Sequence, residues 1–138
     1  MTLSARLVAA VDALPLRQGM RVLEVGCGPG AAAREVARRI GPEGHVLAID
    51  RSAKAVAQAL AGAPDEVAAG TLSVRQAPVE RFELEEGEDL YDLAFAVRVG
   101  ALDGRHPELE REALQRIAAA LVPAGQLFID GRETELPR

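Results

Sequence analysis

Apolar positions at Leu3, Leu7, Val8, Val11 and Leu14 recur at helical spacing and stop at Pro15, which predicts an amphipathic leading helix. A polar turn at Gln18 and Gly19 precedes a short apolar strand at Arg21–Val25, a glycine-rich bend, and a helix over Ala31–Ile40 that Gly41 and Pro42 end. The next apolar run, residues 45–49, predicts a second strand ending at Asp50. Ser52 is then placed to cap an alanine-rich helix through about Leu60. Gly62, Pro64 and Asp65 mark a loop with room for one more helical turn, and residues 71–76 read as a third strand. Residues 78–82 form a connector or helical turn, 85–89 (EEGED) a solvated acidic loop, and 91–97 an almost continuously apolar fourth strand. Pro107 suits a first helical position, and Leu109, Leu114, Ile117 and Leu121 draw an apolar face along a long helix that Pro123-Ala124-Gly125 closes. A fifth strand at 126–129 and a polar tail, 130–138, complete the chain.

Strands alternating with helices at this spacing predict right-handed βαβ units. The expected fold class is α/β: a Rossmann-like doubly wound sheet of about five parallel strands, with flanking helices and a leading helix, in one domain over 1–138. Nothing after Asp130 is apolar enough to cover the fifth strand, so that strand is expected to be an exposed edge, which a homodimer would hide.

Charge and composition narrow the function. The net charge is -5 and no lysine- or arginine-dense stretch would track a phosphate backbone, so no nucleic-acid partner is expected. Aromatic residues are only 3% of the chain and tryptophan is absent, which removes base-stacking platforms. The single cysteine, Cys27, rules out an intrachain disulfide and a cysteine-based zinc site; no metal is expected, and a reducing cytoplasm is the expected location. The first helix is too short, and too interrupted by Asp12, to cross a bilayer, so no membrane partner is expected.

The chemistry concentrates where the first strand meets its helix. VLEVGCGPG carries Gly26, Gly28 and Gly30, whose bare backbone lets a ligand approach and whose amides are expected to face it; a strand-helix junction also needs glycine for geometry alone. Asp50 ends the neighbouring strand, where a carboxylate can accept hydrogen bonds from vicinal ribose hydroxyls. A dinucleotide would need GxGxxG spacing and an open helix start for pyrophosphate, whereas this loop includes the acid Glu24. Glu24 would repel pyrophosphate; it could support a cationic amino group or its bound water, or simply bond backbone amides.

VLEVGCGPG followed by VLAID resembles the first motif and acidic second-strand end of class I S-adenosylmethionine-dependent methyltransferases. YDLAFAVRVGAL resembles that family's fourth strand, and ALQRIAAALVPAGQLFID its next helix, Pro-x-Gly turn and fifth strand, so the resemblance runs from about Leu3 to Asp130. It implies S-adenosylmethionine as cofactor and S-adenosylhomocysteine as product. It also implies backbone contacts from Gly26, Cys27 and Gly28 to the methionine part, and Asp50 on the ribose. Arg51 stands where an apolar residue usually packs on adenine, so its guanidinium would stack there instead. Pro78 replaces an acid that often binds the adenine amino group, leaving the Val79 amide as the expected contact to the ring. The family's sheet also continues beyond the point where this sequence stops.

Methyl transfer from a sulfonium already has a good leaving group, so positioning can supply most of the acceleration and a base is optional. Arg98 and His106 are the weak catalytic candidates, alongside Asp103 and Asp130 at strand ends. Arg98 reads equally as an acceptor-carboxylate anchor or a solvated strand end, His106 more readily as helix-entry surface, and Asp103 as the start of an Asp-Gly turn. No Asn/Asp-Pro-Pro-Tyr turn follows the fourth strand, and Cys27 sits in the ligand loop, which argues against base-amine and cytosine-C5 methylation. A small-molecule acceptor remains. The competing expectation is a non-catalytic domain that binds the nucleoside with an incomplete acceptor site.

Overall fold

The Ser4 hydroxyl accepts the Leu7 amide and opens the first helix, α1, at Ala5–Asp12. The structure, a computed structural model, describes residues 3–137. Strand β1 (Arg21–Val25) leads through the glycine bend into α2 (Ala31–Ile40), and β2 (His45–Asp50) into α3 (Ala53–Gly62), which the Ser52 hydroxyl caps through the Ala55 amide at 3.2 Å. The single helical turn expected near Pro64 is a separate helix, α4 (Pro64–Ala69), favoured by proline at its start and by Asp65 and Glu66 in its first turn. Strand β3 (Leu72–Gln76), a 3-10 turn (Val79–Arg81), β4 (Tyr91–Ala96) and α5 (Pro107–Ala120) follow. The chain closes with β5 (Leu121–Ile129) and β6 (Arg132–Thr134).

The six strands lie in the order β3-β2-β1-β4-β5-β6, the first five parallel. Because the chain moves outward through β1, β2 and β3 and then returns to β4 on the other side of β1, the strand order reverses between β1 and β4. A crevice opens at such a switch point, beyond the C-terminal strand ends. Val22, Val46, Ala48, Leu93 and Phe95 face one layer, against Val36 and Ile40 of α2 and Ala59 of α3. Leu23, Leu47, Ile49, Ala94 and Ala96 face the other, against Phe82, Ala113 and Ile117. Burial on both faces explains why these strands read as continuous apolar runs.

The C-terminal part departs from expectation. Strand β5 starts at Leu121, opposite Tyr91, and the Pro-Ala-Gly segment lies within it across a register shift. The tail expected to stay polar and unpaired instead forms β6, antiparallel to β5, with Ile129 opposite Arg132 and Leu127 opposite Thr134. Asp130 and Gly131 make the turn, both left-handed (φ 50 and 82), as a two-residue hairpin loop of this hand requires. Strand β5 is therefore not a free edge over 127–129, and a homodimer is not needed to hide it. The short, polar β6 blunts that side instead. Among the described residues, no helix is long and apolar enough to cross a membrane.

One polar side chain interrupts the core. Glu24 shares its face of β1 with Val22, lies opposite Ala48 and Phe95, and is 2% exposed. Its Oε1 has no hydrogen-bond partner, while the Ala33 amide, at the start of α2, supports the carboxylate. Burial, reinforced by the nearby Asp50 charge, pushes the Glu24 pKa up to about 8.

Two predictions follow from this packing. A Cβ on Gly30 would lie 2.9 Å from the Ala59 Cβ and 3.2 Å from its Cα, at a φ of +91, whereas one on Gly28 would meet nothing within 4 Å. Gly30→Ala should cost about 2 to 4 kcal/mol from crowding plus left-handed strain, and Gly28→Ala only about 1 to 2, in urea unfolding. For Glu24, the folded state holds a proton that the unfolded chain, at its ordinary value of 4.5, has released, so stability falls as pH rises between about 4.5 and 8. Glu35, held down to about 2 by Arg38 and Arg39, acts in the opposite direction and only below that window. Melting curves should show the decline in the wild type and a flatter profile in Glu24→Gln; identical slopes would assign the pH dependence to other groups.

Candidate functional site

A cleft of about 260 Å³ occupies the switch point, bounded by Val25 and Gly26 after β1, Ile49 to Arg51 after β2, residues 77–80, and Arg98 to Ala101 after β4. Another cavity of about 290 Å³ lies between α2 and α3, beside the Arg34–Glu66 ion pair, but no C-terminal strand end of the sheet reaches it.

The glycine bend does not present its amides to this cleft. The Ile49 carbonyl accepts from the Gly26 and Cys27 amides at 2.8 and 3.0 Å, and Asp50 Oδ2 accepts from the Gly28 amide at 2.9 Å. Pro29 has no N–H, and the Gly30 amide donates to the Cys27 carbonyl at 3.0 Å. The sequence-based expectation of ligand-facing amides is therefore corrected: these donors clamp the bend onto the end of β2. Gly26 lines the cleft, and the position needs glycine because a Cβ there would strike Val99 Cγ2 at 2.5 Å. Gly30 serves helix packing against Ala59. Cys27 is buried beneath the bend, its thiol pushed up to about 12 by burial and then by the Glu24 and Asp50 charges, which leaves it unreactive.

Asp50 is the polar centre. Besides the Gly28 amide it accepts the Ser52 amide through Oδ1 at 2.9 Å, and each carboxylate oxygen keeps lone-pair capacity for a ligand. The Asp50 carbonyl accepts from the Ala77 amide at 2.9 Å, tying the end of β2 to the segment that carries Val79 and Glu80. Arg51 is exposed at the cleft rim, its carbonyl held by the Gln76 side chain at 3.2 Å.

On the far wall, Arg98 is left-handed (φ 54), an uncommon state for a side-chain-bearing residue. Its amide donates to Asp130 Oδ1 at 2.8 Å, and its carbonyl accepts from Arg105 Nη2 at 2.7 Å. Arg105 in turn pairs with Asp103 at 2.9 Å. Arg98 also lines an adjoining cavity of about 590 Å³ with Arg6, Val97, Asp130 and Arg132. His106 donates its amide to the Gly100 carbonyl at 2.9 Å, and its ring lies so close to Gly100 that a Cβ there would sit 2.6 Å from His106 Cδ2.

Of the residues singled out in the sequence, Gly26, Asp50, Arg51, Val79, Arg98 and His106 meet at the cleft, whereas Glu24, Cys27, Gly28 and Gly30 lie behind or beside it. Sequence reasoning missed Arg105 and Glu80. Glu80 lies in the segment that reads as a connector or helical turn and Arg105 directly after the Asp103-Gly104 turn, and no local pattern says which of Glu80 and Arg81 is buried.

A family model described as a methyltransferase domain matches residues 22–125, well over half of the chain. Nocamycin O-methyltransferase of Saccharothrix syringae is 34% identical over 127 residues, covering 88% of this chain and 41% of that protein. A ubiquinone/menaquinone biosynthesis C-methyltransferase of Pseudomonas paraeruginosa is 28% identical over 115 residues, covering 83% and 42%. The chain thus spans about two fifths of the length of these curated relatives. A solved S-adenosylmethionine dependent methyltransferase from Mesorhizobium loti superposes with a TM-score of 0.68 at 26% identity, over 91% of this chain and 53% of that one. With the strand order, the cleft at the switch point and the family match in agreement, the chain belongs to the methyltransferase domain family, of the class I S-adenosylmethionine-dependent type.

Proposed function

We propose that the chain binds S-adenosylmethionine in the switch-point cleft and positions it for methyl transfer to a small-molecule acceptor. The observation that carries this reading is Asp50: a carboxylate at the end of β2, fixed by two backbone amides and opening into the cleft with acceptor capacity to spare. The residues present fit the cofactor. Asp50 takes the ribose hydroxyls, the exposed Arg51 guanidinium covers the base, and Val79, at the start of its 3-10 turn, offers an amide without an acceptor among the described residues. Gly26 leaves the wall thin beside Val99. Glu24, Cys27, Gly28 and Gly30 act on the shape of the bend rather than by touching the ligand.

When bound, the cofactor supplies an electrophilic methyl group with a neutral thioether as leaving group. The chain's own residues bind and orient. Proximity can be worth about 7 to 11 kcal/mol, against about 3 to 5 for a general acid or base, so no single polar side chain has to carry the reaction. The adjoining cavity suits the acceptor. Arg6, Arg98 and Arg132 line it without side-chain partners among the described residues, and Asp130, its one acid, already serves the Arg98 amide. This charge balance favours an acceptor carrying a carboxylate or phosphate. The two curated relatives are named for an O- and a C-methylation, so the accepting atom is left to experiment.

S-adenosylhomocysteine at about 100 times its dissociation constant should add roughly 2.7 kcal/mol to the folded state and raise the melting temperature, while NAD should do little; the reverse pattern would overturn the assignment. Asp50→Ala should weaken S-adenosylhomocysteine binding by about 1.5 to 3 kcal/mol. Part of that loss comes from freeing the Gly28 amide, so the ribose contribution is read from the 2′,3′-dideoxy analogue, for which the mutational loss should shrink. Arg98→Ala should raise KM about tenfold or more for acidic acceptors but not for their methyl esters, with S-adenosylhomocysteine affinity within about twofold. Tight cofactor binding with no product from any hydroxyl, amine or carboxylate acceptor would reduce the function to binding alone.

A further inference from the structure

Asp130 is held at the end of β5 by its backbone and by one of its two carboxylate oxygens. Its amide donates to the Ala96 carbonyl at 2.9 Å, and its Oδ1 accepts from the Arg98 amide at 2.8 Å, so both fasten it to the end of β4. A φ of 50, followed by 82 at Gly131, sets it in the tight turn into β6. That turn lies against α1, since a Cβ on Gly131 would come to 3.9 Å from Ala10 Cα and Ala13 Cβ. The second oxygen, Oδ2, has no hydrogen bond or ion pair among the described residues. Asp130 lines the cavity of about 590 Å³ beside the cleft, as the one acid among Arg6, Arg98 and Arg132.

We propose that Asp130 Oδ2 accepts the hydrogen of the methyl acceptor's nucleophile, and that the acceptor is a hydroxy acid whose anionic group lies on the arginines. The inference rests on the cofactor and acceptor-cavity reading above. Arg98 lines both the cleft and the cavity, so an acceptor held there lies next to the cofactor. An ionised carboxylate can only accept, and the group that meets Oδ2 must bring a donor. A carboxylate nucleophile has no hydrogen and would meet Asp130 as a like charge. An ammonium would enter a cavity where three guanidinium groups face a single acid. A neutral hydroxyl avoids both costs. In the transfer the hydroxyl oxygen forms the new carbon–oxygen bond, the carbon–sulfur bond breaks with its electron pair left on a neutral thioether, and the hydroxyl proton passes to Asp130 Oδ2 and on to water. Because Oδ1 and the backbone are already fixed, Oδ2 is presented with little ordering cost.

The test uses two pairs of probes, para-hydroxybenzoate with para-methoxybenzoate and beta-hydroxybutyrate with its methyl ether, titrated calorimetrically into the protein without cofactor. In Asp130→Asn the Arg98 amide keeps an oxygen to donate to, and an amide NH2 takes the place of Oδ2. The ratio of hydroxy-acid to methyl-ether affinity should therefore fall about tenfold or more from wild type to Asp130→Asn in at least one pair; taking the ratio cancels the general effect of removing a negative charge. Asp130→Ala, which also frees the Arg98 amide, should lower the melting temperature, whereas Asp130→Asn should not. With S-adenosylmethionine added, the product should be the methyl ether, and Asp130→Asn should lower kcat about 100-fold without raising KM. An unchanged ratio in Asp130→Asn, a methyl ester as product, or no binding of either hydroxy acid to the wild type would overturn the proposal while S-adenosylhomocysteine still binds at the cleft. Failure of S-adenosylhomocysteine to bind would overturn the reading on which it rests.

Discussion

The structure turns on where the glycine bend sends its amides. The Ile49 carbonyl and the Asp50 carboxylate collect the N–H groups of Gly26, Cys27 and Gly28, so the end of β1 is fastened to the end of β2. Strand pairing alone would align these strands only as far as Val25 and Ile49. The clamp carries the alignment past the sheet, sets the Asp50 carboxylate at the cleft and lets α2 start against α3 through the bare Gly30–Ala59 contact. The bend thus acts as a shaped wall. Anion binding by free backbone amides, the usual reason to look at such a bend, is not available here because the donors are spent.

The cleft carries both signs, Asp50 and Glu80 together with Arg51, Arg98 and Arg105, while the adjoining cavity sets Arg6, Arg98 and Arg132 against the single acid Asp130. Behind the bend, Glu24 is pushed up to about 8 by burial and by Asp50, so near neutral pH the protein favours one negative carboxylate at the bend rather than two. Arg98 links the two cavities, and its left-handed backbone is held from both sides, by Asp130 and by Arg105. Strain held this way keeps a side chain aimed where relaxed geometry would not put it.

Much of the fold was legible in the sequence because parallel strands buried on both faces write themselves as apolar runs such as VLEV and LAFA, separated by helical periodicity. Asp50 and Gly26 were legible for the same reason: they end strands. What escaped depended on partners distant in sequence. The polar residues 132–134 carry no strand pattern, and only the Asp130-Gly131 pair, a hairpin turn signal, pointed to β6. The direction of the bend's amides depends on φ values near +50 to +90, which a glycine permits but does not announce. Gly30 looked like a ligand glycine, yet its constraint comes from Ala59, and the connector pattern of 78–82 carried no sign that Glu80 is buried beside Val79 and Phe82.

The central claim is that one cleft, at the switch between β1 and β4, receives the adenosyl ligand. Backbone amide chemical-shift mapping on addition of S-adenosylhomocysteine tests it most directly. The largest shifts should fall at Gly26 to Gly28, Asp50 to Ser52, Val79 and Glu80, and Arg98 to Ala101, with Arg34, Arg38 and Glu66 unmoved. Shifts concentrated instead around Arg34, Arg38 and Glu66, in the cavity between α2 and α3, would contradict it.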